Sequence, residues 1–457
     1  MKPDNGAKAR AVFAKVLPKI TPSRREAAEC FATATAMAKK LERVVPPAVE
    51  VRLAGSLAKG TNLAGNNEFD IFMLFPRHYP HHEMTMMGMH YARRAFFGMR
   101  CEARYAEHPY LQIFYRDYHA DIVPAYKIES ISERGSSVDR SQLHTAYINA
   151  KLGAQAKGDV RLLKRFMKNF GIYGAELRVE GFSGYLCELL IVHYGTLPEL
   201  MKAASHWGER PAIDTERHLS EDAARRKFSQ PALIVIDPTD PNRNVAAVVA
   251  HTSLSRFIFE CRRFLAAPSE KFFFTRKIVR SRREIAKAMK ERGTRCLCVR
   301  FPAPKVVPDV LWPQLKKTAQ ALSRRLSEQG FSVFGCYHWS DGKECVVLFE
   351  IDRWELPCVA KAVGPSIRFA RDCESFVKKH QRALNMHIEH DRMVAVERRE
   401  VRDSLRALSQ ACGHPHGAGI PENMEKAMAH CEVLDAGKLL SKKYAEFMSD
   451  YFFAKIA

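Results

Sequence analysis

Long apolar runs are what this sequence most plainly lacks. No stretch approaches the roughly 20 consecutive apolar residues that a membrane span needs, and the opening MKPDNGAKARAVFAKVL has no extended hydrophobic segment of the secretory kind. A soluble, cytoplasmic protein is the expectation. Cysteine is too scattered for a secreted disulfide framework: its 12 residues run from Cys30 to Cys431 without the short-spaced pairs of a zinc ribbon, and reduced thiols are the simplest account. Cys296 with Cys298, and Cys412 with His414 and His416, also fail to supply two properly spaced ligand pairs, so no structural zinc is expected. Internal repeats and low-complexity tracts are missing as well.

Acidic residues are the other shortage. Lys and Arg total 72 against 51 for Asp and Glu, a formal charge of +21. Basic surface of that size favours a polyanionic partner, because each phosphate it neutralises releases condensed counterions. Nucleic acid is the first candidate and a membrane surface the second, while plain solubility would explain charge but no chemistry. A chain of 457 residues, 46% of them hydrophobic, is long enough for two to four domains with real cores.

The patterning predicts a change of architecture along the chain. An amphipathic helix over Glu26–Val45 stops before Pro46 and Pro47, and a strand over Val49–Leu53 runs into Gly55-Ser56. The apolar run Phe69–Phe75 ends at Pro76, and Leu111–Tyr115 with Ala120–Val123 reads as a hairpin. Residues 1–145 are therefore expected to form a small mixed sheet flanked by helices. Helical spacing then takes over at Leu143–Leu152, Val160–Phe170, Ser183–Tyr194 and Leu254–Leu265, defining a helical region over 146–268. Beyond it lie nine Lys or Arg between Arg276 and Arg295, a strand at Cys296–Phe301, a helix near Gln314–Glu328, and strands at Phe331–Tyr337 and Glu344–Ile351. The remainder, Arg399–Phe453, reads as helices with a loop at Gly413–Pro421. The fold class expected is α+β and multidomain, with 269–457 as a third region.

One constellation can do chemistry. Residues two apart on a strand share a face, so Glu68 and Asp70 present both carboxylates to one point while Phe69 and Ile71 enter the core. Asp121, in the alternating run 119–123, can add a third from a neighbouring strand, and three oxygen donors suit Mg²⁺. Gly55-Ser56 can hold a triphosphate with backbone N–H groups and a hydroxyl. That set serves nucleotidyl transfer, in which metal ions activate a 3′ hydroxyl and neutralise the departing pyrophosphate. The competing explanation is a polar strand face beside an ordinary turn, and on Glu68 and Asp70 alone the two stand level.

The segment AGSLAKGTNLAGNNEFDIFMLFP resembles the signature of the DNA polymerase β nucleotidyltransferase superfamily. Within it, RYAEHPY (104–110), DIVPAYK (121–127), SVDRSQLH (137–144), VRLLKRFMKNFGIYGAE (160–176), GFSGYLCELLIVHYG (181–195) and DPTDPNRNVAA (237–247) are similar to the archaeal CCA-adding enzymes. The likeness continues more weakly through APS at 267–269, LWPQL at 311–315 and the terminal helices. It implies a polymerase β-like head, a helical neck that completes the nucleotide pocket, and a body and tail that hold the acceptor stem and T-arm of tRNA. The activity implied is addition of C, C and A from CTP and ATP to the tRNA 3′ end with two Mg²⁺ ions, Mn²⁺ being a substitute. A homodimer follows by analogy.

Carried over motif by motif, the metal-binding and catalytic carboxylates fall on Glu68, Asp70 and Asp121. The nucleotide-binding positions fall on Ser56, Lys59, Ser141, His144, Lys164 and Tyr173. Arg243 matches the residue that shapes the pocket selecting C or A, although pairing with Asp237 or Asp240 in a turn would also account for it. Lys59 stands where Arg is often found, Ser141 where Thr is common, and Gln142-Leu143 where a Pro-aromatic pair is usual. Lys cannot reproduce the bidentate fork of Arg, so phosphate affinity is the property these departures touch. A poly(A) polymerase or an oligoadenylate synthetase-like enzyme would share the carboxylates, and a non-catalytic RNA-binding protein on the same scaffold would be expected to have lost one.

Overall fold

The computed structural model describes residues 3–105, 109–275 and 278–453. Residues 106–108 of the RYAEHPY segment, and Arg276 and Lys277 at the start of the basic stretch, lie outside them. The chain forms two compact units, Met1–Arg276 and Lys277–Ala457.

The first unit opens with α1 (Pro3–Ile20) and α2 (Arg24–Glu42). A capping box starts α2: Ser23 Oγ accepts from the Glu26 N–H, and the Glu26 carboxylate accepts from the Ser23 N–H. Then come β1 (Glu50–Ala54), α3 (Gly55–Lys59), β2 (Glu68–Phe75), α4 (His81–Ala95), β3 (Arg100–Tyr105), β4 (Pro109–Tyr115) and β5 (Tyr118–Tyr126). They make one five-stranded sheet in the order β1-β2-β5-β4-β3. β2 and β5 run parallel, and the other neighbours are antiparallel. Alternation along β2 sends Phe69, Ile71, Met73 and Phe75 into one core with Met37 and Leu41 of α2 and Met84 of α4. Phe72 and Leu74 face the other side, against Ala54, Val123 and Ala125. Burial on both faces explains the nearly unbroken apolar run of β2 and leaves its N-terminal end, Glu68, exposed.

The rest of this unit is α5 (Arg140–Lys151), α6 (Ala154–Asn169), α7 (Gly184–Tyr194), α8 (Leu197–Ala204), β6 (Ala212–Ile213), α9 (Glu221–Lys227), β7 (Ile234–Asp237), β8 (Asp240–Asn244) and α10 (His251–Ala266). Its core gathers Leu163, Phe166, Phe182, Leu190, Phe257, Phe264 and Phe273. Side chains of this size each contribute roughly 1.5–3 kcal/mol when fully buried. The first helix joins this core, not the sheet: Phe13, Val16 and Ile20 of α1 pack into it, and Phe13 stacks on Phe264 at 5.3 Å. Sequence spacing marked α6, α7 and α10, but passed over α1 and the short sheet β6-β7-β8.

The second unit contains α11 (Arg282–Glu291), β9 (Arg295–Pro302), α12 (Pro308–Glu328), β10 (Ser332–Ser340), β11 (Glu344–Arg353), β12 (Val359–Ser366), α13 (Ala370–Lys379), β13 (Asn385–Glu389) and β14 (Arg392–Arg398). It ends with α14 (Ser404–Gly413), α15 (Pro415–Ala418), α16 (Glu422–Met428), β15 (Glu432–Asp435) and α17 (Ala445–Phe453). The expected strand, helix, strand, strand order is β9-α12-β10-β11. One face of the antiparallel sheet β10-β11-β9-β15 buries Leu315 and Leu322 of α12, and the other packs Ile285 of α11 and Phe447 of α17. A separate three-stranded sheet, β12-β14-β13, was not expected from the sequence. The closing region is not purely helical either, because Glu432–Asp435 adds an edge strand to β9. Among the described residues no helix is long and apolar enough to cross a membrane.

Candidate active site

The register of two parallel strands builds the centre. Asp70 on β2 lies directly opposite Asp121 on β5, and Ala54, the last residue of β1, lies opposite Asp70 from the other side. Both aspartates are half-buried. Gln112 on β4, opposite Asp121, donates its Nε2 to Asp121 Oδ1 at 2.8 Å and fixes that carboxylate. Burial first, then the charges of Asp121 and Glu68, push the Asp70 pKa up to about 6, with Lys59 pulling the other way. Asp121 is also raised, by burial and by Glu68, against the hydrogen bond from Gln112.

Gly55 makes this approach feasible. Its φ is +69°, and a Cβ built there would lie 1.8 Å from Asp70 Oδ2. Only a residue without a side chain lets the β1–α3 turn pass so close to the carboxylate. Among the described residues no three His, Cys, Asp or Glu side chains are gathered into a group that could hold a metal ion. The donor chemistry nevertheless fits a divalent cation: acidic oxygens on adjoining strands raise one another's pKa, a repulsion that such an ion would relieve.

A second group gathers around a residue that sequence reasoning overlooked. Glu188, on α7, is fully buried. It accepts from Lys59 Nζ at 2.5 Å on Oε2, and from Lys164 Nζ at 3.1 Å and Thr61 Oγ1 at 2.6 Å on Oε1. Lys164 also donates to the Thr61 hydroxyl and carbonyl, at 3.0 and 3.2 Å. Burial raises the Glu188 pKa, but the charges of Lys164 and Lys59 and the hydrogen bonds outweigh it, and the net shift is downward. Lys59 and Lys164 were expected among the nucleotide-binding positions, as cations that can neutralise triphosphate. Here both are buried and tied to Glu188, because a lysine taken out of water needs a counter-charge. Tyr173 joins this group at Gly184, where a Cβ would lie 3.2 Å from the phenol oxygen and 3.6 Å from Lys164 Nζ. A signal for Glu188 was present: it is the one acid on α7, a helix otherwise made largely of apolar residues.

Asp237 organises a third group. His144 Nε2 lies 2.9 Å and Arg243 Nη1 2.8 Å from Asp237 Oδ2, while Tyr185 and Thr239 donate to Oδ1 at 3.1 and 2.8 Å. Burial works against the charged form, yet the bonds from His144, Thr239 and Arg243 hold this carboxyl well below the usual range. The His144 ring stacks on Tyr185 at 3.8 Å, and burial lowers its pKa against the pull of Asp237. Arg243 thus takes the ion pair foreseen as its alternative. It also borders a cleft of about 430 Å³ with Arg134, Arg140, Ser183, Asp240 and Asn242. Asp240 pairs with both Arg134 and Arg140 there, and the buried Nε of Arg140 has no hydrogen-bond partner among the described residues.

Lys59 ties the three groups together. Its charge reaches Asp70, its ammonium lies 5.7 Å from the Tyr185 ring, and Tyr185 stacks on His144. Ser56 sits in α3, three residues before Lys59, and Ser141 sits in the first turn of α5, three before His144. Both serines are half-buried, and neither side chain is tied to the two hubs.

Comparison with known proteins decides the family. Residues 36–144 match a nucleotidyltransferase domain, 158–274 the second domain of tRNA nucleotidyltransferase, and 292–434 the C-terminal domain of CCA-adding enzymes. A CCA-adding enzyme of Methanosarcina mazei is 37% identical over 377 residues, which are 81% of this chain and 82% of that protein. The chain belongs to the CCA-adding enzyme family. A relative of that name from Methanothermobacter thermautotrophicus is 36% identical and covers 88% of each chain. Another from Archaeoglobus fulgidus is 32% identical over 95% of this chain and 97% of its own. As a CCA-adding enzyme the chain is a nucleotidyltransferase, and its five-stranded sheet falls within the nucleotidyltransferase match. Divalent metal ions are general to that group.

Proposed function

We propose that this enzyme adds C, C and A in turn, from CTP and ATP, to the 3′ end of immature or damaged tRNA and releases pyrophosphate. One observation carries the assignment of the chemistry: Asp70 and Asp121 stand opposite each other on parallel strands, with Lys59 charge close by. Glu68, Asp70 and Asp121 are the residues that would hold Mg²⁺, or Mn²⁺ in its place. The bound cation supplies charge neutralisation at the α-phosphate and the leaving pyrophosphate, and lowers the pKa of the attacking hydroxyl. Gln112 keeps the Asp121 carboxylate aimed, and Gly55 leaves room for that of Asp70.

Ser56, Lys59, Ser141, His144, Lys164 and Tyr173 bind the nucleotide in this reading. Lys59 and Lys164 supply positive charge, the serines hydrogen bonds, and His144 and Tyr173 phosphate or sugar contacts. Arg243, with donors beyond the one given to Asp237, takes part in choosing C or A. Residues 1–145 act as head, 146–268 as neck, and 269–457 hold the acceptor stem and T-arm by shape and phosphate, since the A-form major groove is too narrow to read. The twelve free cysteines accord with a cytoplasmic setting.

The test is incorporation of CTP and ATP onto tRNA transcripts ending before the CCA, after one C and after both. Ordered addition that stops after A is expected. Long A tails would overturn the assignment in favour of a poly(A) polymerase.

A further inference from the structure

Glu188 lies outside the carboxylate centre, belongs to no nucleotide-binding position, and is nevertheless the point at which two of those positions meet. It is 0% exposed, Lys164 2% and Lys59 7%. The three side chains come from three different segments, α3, α6 and α7, and Thr61 from the loop that follows α3 closes the network. Arg161, also on α6, donates to the carbonyls of Gly60 and Asn62 at 2.6 and 2.9 Å, fixing that loop beside Thr61.

A single buried carboxylate with a lysine on each oxygen has two consequences. First, each ammonium is held by a charge-assisted bond, shorter and stronger than a neutral one, so neither can swing independently. Second, two cations against one anion leave a net charge of +1, with N–H donors to spare on Lys59. Lys164 spends its three donors within the network, on Glu188 and on the hydroxyl and carbonyl of Thr61, and contributes charge alone, whereas Lys59 gives one donor to Glu188 and can turn the others to an incoming anion. An ordinary structural salt bridge would have balanced charge and one partner on each side. Excess positive charge at the junction of the head sheet and the helical region is what a polyphosphate requires.

We propose, building on the nucleotide-binding reading above, that Glu188 is a positioning residue: it holds Lys59 and Lys164 as one rigid clamp for the triphosphate of CTP and ATP. It touches no substrate itself. Gly184, one turn earlier on α7, keeps the space beside Lys164 and Tyr173 open, so that helix sets both the anchor of the clamp and the room around it.

The test is equilibrium binding of CTP and of ATP to the full-length protein without RNA, together with KM and kcat for addition to tRNA. Glu188→Gln should weaken binding of both nucleotides and raise both KM values by about tenfold, the effect of losing one hydrogen bond to a charged group. The KM for tRNA should stay unchanged. Glu188→Gln leaves two buried lysines unpaired, so its fold is checked by circular dichroism. Glu188→Asp, which keeps the charge but draws it back by one methylene, is measured beside it. A several-fold rise in nucleotide Kd is expected for the Asp variant, smaller than for Gln, with tRNA affinity intact. Nucleotide Kd values within twofold of wild type in a folded Gln variant, or in the Asp variant should Gln not fold, would overturn the role. Equal loss of tRNA and nucleotide binding would overturn it too, since that is the mark of a general structural part. Failure of the wild-type protein to bind CTP or ATP would instead sink the nucleotide-binding reading on which the role rests.

Discussion

Replacing Gly55 by alanine tests the geometry at the carboxylate centre most directly. The new Cβ would lie 1.8 Å from Asp70 Oδ2 and 2.9 Å from its Cγ, whereas real Cβ contacts under 3.0 Å essentially do not occur. The Asp70 carboxylate or the β1–α3 turn must therefore move by more than 1 Å. Positive φ adds a separate strain of roughly 1–2 kcal/mol, because the Cβ crowds the carbonyl in the left-handed region. Misplacing a reacting group by about 1 Å lowers rate by about 100-fold, and that is the loss expected in nucleotide incorporation. The strain alone should lower the melting temperature by roughly 2–8 °C for a unit of this size. tRNA affinity, measured by filter binding, should not change. An alanine variant that adds CMP within threefold of the wild-type rate would refute the close approach of turn and carboxylate, and with it the placement of Asp70 at the centre.

Asp70→Ala and Asp121→Ala should each abolish addition while leaving the circular dichroism spectrum and tRNA binding intact, and near-wild-type addition by either would remove it from the centre. The Asp70 pKa near 6 also predicts that divalent-ion affinity, followed by calorimetry, falls as pH drops from 7 to 5, and that Asp70→Asn flattens that dependence. The sign for stability is opposite: an acid whose folded pKa lies above its unfolded value of 3.8 binds protons more tightly when folded. Without metal, the cost of burying charged Asp70 should therefore be relieved as pH falls from about 6 towards 4, read as a rise in melting temperature across that window that Asp70→Asn does not show. Asp237→Asn should release Arg243 and His144 together, and the ratio of CMP to AMP incorporated should shift more than the total rate; an unchanged ratio would separate Arg243 from nucleotide choice.

Much of the site was legible because local periodicity carries it. Glu68 and Asp70 on one strand face and the Gly-Ser turn before them follow from two-residue alternation and from the conformational freedom of glycine, and the sheet register then sets Asp70 beside Asp121. The two hubs were not legible in the same way. Glu188 lies 129 residues from Lys59, and Asp237 lies 93 from His144, so neither pairing leaves a trace in any short window. Each hub follows from burial, which only the tertiary fold decides: lysines taken into the interior need the acid at Glu188, and a buried carboxylate at Asp237 needs the donors of His144, Arg243, Tyr185 and Thr239. The same limit explains the overlooked α1, whose spacing allows a helix but does not say that Phe13 meets Phe264. It also explains β15, four residues whose only claim to be a strand is the open edge of β9.

That late strand bears on synthesis. Glu432–Asp435 pairs with Arg300–Leu297, so the sheet of the second unit stays open along β9 until more than 130 further residues have left the ribosome. An uncovered edge beside Cys298 and Val299 is a template for pairing with another nascent chain. Messages cut short before codon 432 would therefore yield products with a sticky rim and no way to seal it. Such products should be found in the insoluble fraction or lost to proteolysis, and the cell would retain a finished second unit only from messages read nearly to their end.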